Sequence, residues 1–156
     1  MCDVILNWLF MKKIFFLFVI VLLTIACNST EKSLSRNEYQ ELLQQTILPV
    51  PDTLLNKEQL ALHIKILDFL HEHTYVENNC QKLSVRKDSM VRAGIPAIYY
   101  DVISYQYKET NEEVKRMIES GEIPAIHLNL DSLMKESNPY YWNTERPRLL
   151  KMLESK

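Results

Sequence analysis

Residues Leu54 to His73 carry the feature that most restricts the fold of this chain. Leu60, Ile64, Leu67 and Leu70 or His71 recur at helical spacing along one face, and Leu62, Ile66 and Phe69 widen that face. The pattern predicts a helix over about residues 55–73, the longest in the chain. A stripe this broad must be covered by other elements on more than one side, which marks the helix as central.

The flanking segments supply the cover. Arg36 to Ile47, with Tyr39, Leu42, Leu43 and Ile47, predicts an amphipathic helix that Pro49 and Pro51 end. Glu77 to Ala93 reads mostly as helix, closed by Gly94 in the left-handed C′ position with Ile95 after it. Pro96 opens a further helix to about Lys108, with Ile98, Tyr99, Val102 and Ile103 inward. Thr110-Asn111-Glu112-Glu113 has the form of a capping box and predicts a new helix there, stopped by Gly121. Ile95-Pro96-Ala97-Ile98 returns as Ile123-Pro124-Ala125-Ile126, and both read as junctions between elements. Ile126, Leu128 and Leu130 alternate as in a strand and lead to a short helix at Ser132–Ser137. Asn138-Pro139 breaks the chain, and Pro147 to Glu154 forms the last helix. No second strand is evident. The fold class is all-α, a small bundle of about five to seven helices with one short extended segment.

Ahead of this domain, Met11–Cys27 reads MKKIFFLFVIVLLTIAC: Lys12 and Lys13, an apolar run from Ile14 to Leu23, then Thr24-Ile25-Ala26 before Cys27. That is the order and size of a secretory signal. A transmembrane anchor extended back to Val4 would hold both lysines in the hydrocarbon, at about 2.5–3.5 kcal/mol each. The small residue followed by cysteine resembles a bacterial lipoprotein signal, although Thr24 stands where leucine is usual. The resemblance implies cleavage between Ala26 and Cys27 and a fatty-acyl (palmitate-type) modification of Cys27. Residues 1–10 then precede the true start at Met11, residues 1–26 are upstream extension and signal peptide, 27–35 a lipidated tether and 36–156 one helical domain. Asn28 in place of an aspartate points to the outer membrane. The span Asn56–Ser120 is also similar to small helical lipoproteins of Bacteroidota, of unassigned function. The shared features are Ile66-Leu67-Asp68-Phe69, Gly94-Ile95 and Ser104-Tyr105-Gln106-Tyr107 before Asn111-Glu112-Glu113. That likeness implies a helical lipoprotein and carries no activity.

Without Lys12, Lys13 and Asp3 the remaining chain has 16 basic and 19 acidic side chains, a net charge of −3. Mild acidity argues against nucleic acid as a partner. The chain has two glycines, Gly94 and Gly121, and neither sits in a phosphate-binding loop or a nucleophile elbow. His71 and His73 project about 200° apart on a helix and cannot share an ion, and His63 lies further along the axis, so no metal or cofactor is expected. Cys80 has no local motif of a catalytic thiol, and with Cys27 committed to lipid it has no disulfide partner. Asp68, beside the apolar stripe, is the carboxylate of interest, either as an acid–base group or paired with a basic neighbour.

Tyr99, Tyr100, Tyr105 and Tyr107, with Tyr140, Tyr141 and Trp142, are either core-edge residues or a candidate interaction surface. Three functions follow. The first is a lipid-anchored, non-catalytic interaction or accessory module of the cell envelope, joined to the membrane by its lipid and to an unidentified protein. The alternatives are an envelope hydrolase using carboxylates or histidine, and a carrier of an apolar ligand.

Overall fold

The computed structural model describes residues 34–122 and 129–156. The lipoprotein signal with Ala26 and Cys27, and the second Ile-Pro-Ala-Ile segment, lie outside them. Ser35 begins helix α1 (Arg36–Gln44) with a full capping box, its hydroxyl accepting from Glu38 N–H while the Glu38 carboxylate accepts from Ser35 N–H. The helix stops earlier than the apolar pattern predicts because the Thr46 hydroxyl donates to the Leu43 carbonyl and the backbone turns there. A short 3₁₀ turn (Asp52–Leu54) leads to α2 (Lys57–His73), capped in the same reciprocal way by Asn56 and Gln59. Leu60, Ile64, Ile66 and Phe69 of α2 are buried, so this helix is the central one.

The chain next forms a hairpin, β1 (Thr74–Glu77) and β2 (Cys80–Leu83), paired antiparallel with Thr74 opposite Leu83 and Glu77 opposite Cys80. This corrects the helical reading of Glu77 to Ala93, of which only α3 (Lys87–Arg92) is helical. Asn78 and Asn79 are the cause: both adopt left-handed conformations, with φ of 52° and 58°, as the favoured two-residue hairpin turn requires. Gly94 closes α3 at φ 78°, and the N–H of buried Ile95 reaches the Met90 carbonyl at 3.1 Å, the C-terminal closure its position predicts.

Helix α4 (Ala97–Glu119) runs unbroken through the stretch where a new helix was expected at Thr110, so that α4, with 23 residues, and not α2, with 17, is the longest described helix. The local capping pattern is overridden. The Asn111 side chain bonds across to the Gln81 backbone, and Glu113 pairs with Arg116 at 2.7 Å. Helix α5 (Leu130–Tyr140) likewise continues through Pro139 into a wide π turn (Tyr141–Glu145) and then α6 (Arg146–Glu154). The break expected at Asn138-Pro139 is absent, because the wider turn absorbs the disturbance a proline brings to the helix. The fold is mostly helical, with the hairpin as its only sheet among the described residues. Around α2 the core gathers Leu55, Met90, Ile95, Tyr99, Ile103 and Leu149. No described helix is long and apolar enough to cross a membrane.

Candidate functional site

Two polar regions stand out. The first joins α2 to the π turn and α6. Asp68, three residues before His71 and therefore on the same face of α2, accepts from the Tyr141 hydroxyl at 2.7 Å. The Arg146 guanidinium grips the same carboxylate with two bonds, of 2.7 and 3.1 Å. Positions five apart on an α-helix diverge by roughly 140°, so Tyr141 and Arg146 could not share one carboxylate from a regular helix. The π turn between them brings both to Asp68.

His71 completes the cluster. Its ring stacks on Tyr141 at 4.0 Å between centroids and 5° between planes, and its Nδ1–H donates to Asn138 Oδ1 at 2.5 Å. Trp142 meets Tyr141 edge to face at 5.1 Å, and the Arg146 guanidinium lies 5.6 Å from the Trp142 ring centre. Burial pushes the Asp68 carboxyl up, but the bonds from Arg146 and Tyr141 outweigh it and hold the group below its ordinary value. Burial, followed by the bond to Asp68, pushes the Tyr141 phenol up. Asp68 is held in its charged form and Tyr141 in its protonated form, and the bond between them ties α2 to the π turn.

One turn nearer the start of α2, Arg148 binds Asp52 and Glu145, the latter at 2.5 and 3.0 Å. His63 lies beside this triad with Nδ1 buried and without a hydrogen-bond partner among the described residues. Burial lowers its pKa, only partly opposed by Asp52 and Glu145. Among the described residues no three His, Cys, Asp or Glu side chains converge to hold a metal ion. Cys80 is half-buried and forms no disulfide among the described residues.

The second region is a groove of about 440 Å³ between α1, β2 and the middle of α4. Tyr39 and Tyr105 stack in it at 4.4 Å with planes 16° apart, and Gln106 donates to the Tyr39 hydroxyl at 3.1 Å. Tyr107, also in its wall, shares a 2.8 Å hydrogen bond with Thr74.

The aromatic residues singled out from the sequence therefore divide. Tyr99 is 4% exposed and Tyr141 3%, and both belong to the interior instead of a surface. The Tyr99 hydroxyl accepts from Ile47 N–H at 3.3 Å, which explains why a buried position holds a tyrosine. Tyr100 is half-buried against the core, and Tyr105 and Tyr107 edge the groove. Tyr140 is 60% exposed and Trp142 36%. Sequence reasoning missed Tyr39 as a groove residue and Arg146 as the partner of Asp68. Asp68 and His71 were the visible half of that cluster; Tyr141 and Arg146 lie 73 and 78 residues beyond Asp68. Comparison with protein-family models, with curated proteins and with solved structures finds no match.

Proposed function

We propose that this protein is a lipid-anchored module of the bacterial cell envelope that works by binding and performs no catalysis of its own. The anchoring half of the reading rests on the sequence Met11–Cys27, with Cys27 as the acylated residue. More than one acyl chain at about 0.8 kcal/mol per buried CH₂ makes release from the membrane slow, and the outer membrane is the expected destination. The observation that carries the binding half is the exposure of Tyr140 and Trp142 on a segment held rigid by the Asp68 cluster. Aromatic side chains on a preorganised element bind a protein partner without a large ordering cost. The carboxylates nearest that segment are engaged with arginines, which weighs against a hydrolase using them.

Metabolic labelling with a palmitate analogue, followed by membrane fractionation, tests the anchor. Label should enter the wild type and not Cys27→Ser, which should accumulate as unprocessed precursor; an unlabelled wild type removes the anchoring reading. For the binding half, the solubilised lipoprotein is used as bait beside a Tyr140→Ala variant. A protein captured by the wild type and lost with the variant supports the reading, and recovery of nothing above background defeats it.

A further inference from the structure

The α1–α4 groove carries an assignment independent of the lipid anchor and of the Tyr140–Trp142 face. Its volume, about 440 Å³, is that of a site for a small ligand or for a few units of a polymer. Its lining is of two chemical kinds. Tyr39 and Tyr105 are stacked on each other, which fixes both rings and leaves each with one face that the other does not cover. Gln40 and Gln81 contribute side-chain amides that make no hydrogen bond among the described residues. Each unengaged amide offers two donors and two acceptor lone pairs, the complement of a hydroxyl-rich or acetamido ligand. Arg36 and Glu109 add one charge of each sign, so the lining has no net charge to select an ion.

Other ligand classes fit less well. A purely apolar molecule would bury the free amides without partners, at about 1–3 kcal/mol each. An extended peptide adding to β2 meets an occupied edge. The Asn111 side chain already accepts from Gln81 N–H at 2.8 Å and donates to the Gln81 carbonyl at 2.9 Å, as an incoming strand would. A sugar ring satisfies both kinds of lining, because one of its faces presents polarised C–H groups to an aromatic ring while its rim presents hydroxyls. We propose that the groove binds a neutral saccharide segment, seated against the Tyr39–Tyr105 pair and hydrogen-bonded by Gln40 and Gln81.

The test is calorimetric titration of the full chain, solubilised in detergent, with three uncharged tetrasaccharides: β-1,4-linked N-acetylglucosamine, β-1,4-linked glucose and α-1,4-linked glucose. At least one should bind at up to about 10 mM ligand, the weak end of specific recognition. Gln40→Ala and Tyr105→Ala should each weaken that binding by about tenfold or more. Gln40 is exposed on α1, so its variant keeps the fold and the result readable even if Tyr105→Ala is impaired. A Cys27→Ser chain should bind as the wild type does, which separates this result from the lipid question. Absence of binding by all three sugars, or binding that survives Gln40→Ala, overturns the proposal.

Discussion

The two polar regions put similar residue types to opposite uses. Where α6 meets α2, Tyr141, Arg146 and Asp68 satisfy one another, and Arg148, Asp52 and Glu145 do the same a turn away. In the α1–α4 groove, Tyr39 and Tyr105 stack with the Gln40 and Gln81 amides beside them, which make no hydrogen bond among the described residues. A satisfied network rigidifies and specifies a structure, whereas unengaged donors on a fixed platform are what a ligand needs. Substitutions among the mutually engaged side chains of the first region should therefore act on stability, and substitutions in the groove on binding.

The largest effect should come from beneath the first region. Leu149 is almost fully buried where α6 lies on the core, and Leu149→Ala should cost about 3 kcal/mol in urea unfolding. A cost below about 1 kcal/mol would mean that the ion pairs, and not packing, hold α6 in place. Asp68→Ala should follow at about 2 kcal/mol, since it leaves Arg146 and the Tyr141 hydroxyl without their acceptor. The figure is set below that of a fully buried pair because the Arg146 side chain is 34% exposed. Loss of the Tyr141 and Trp142 near-ultraviolet dichroism should accompany it, and unchanged aromatic signals would show that the π turn stands without the carboxylate.

These regions differed in how far the sequence revealed them. Central α2 was legible because its apolar period extends over several turns and any fold must bury it. Gly94 was legible because the left-handed residue after a helix favours glycine. The hairpin was not, since Cys80-Gln81-Lys82-Leu83 has almost no strand character alone and its signal sits in the Asn78-Asn79 turn. The sequence shows a capping box at Thr110, yet the boxes at Ser35 and Asn56 are the ones that form. Local capping chemistry is similar at all three. What decides at Thr110 is Asn111 reaching β2, a contact across 30 residues that local pattern cannot contain. The same holds for Asp68: a basic partner was one of its two expected roles, and only folding identifies it as Arg146.

The smallest effect, and the one that best separates the two regions, is on pH dependence at His63. Its imidazole is half-buried beside Asp52, Glu145 and Arg148, and burial holds its pKa below the ordinary value of about 6.5. The unfolded chain then binds a proton more readily than the folded one as pH falls past that value, so acidification favours unfolding. The stability that neutral His63 contributes is fully present above about pH 6.5 and is lost as pH descends toward the lowered folded pKa. The Asp68 contribution, from a carboxyl also lowered, stays intact until pH falls below about 3.8, so loss that begins between pH 7 and pH 5 does not come from Asp68. Urea midpoints taken between pH 7 and pH 5 should drop for the wild type and drop less for His63→Gln, which cannot gain the charge. Saccharide binding by the groove, which contains no histidine, should be unmoved across the same range. Equal pH slopes for wild type and His63→Gln would show that His63 titrates alike in both states, and the acid sensitivity would then have to arise elsewhere in the molecule.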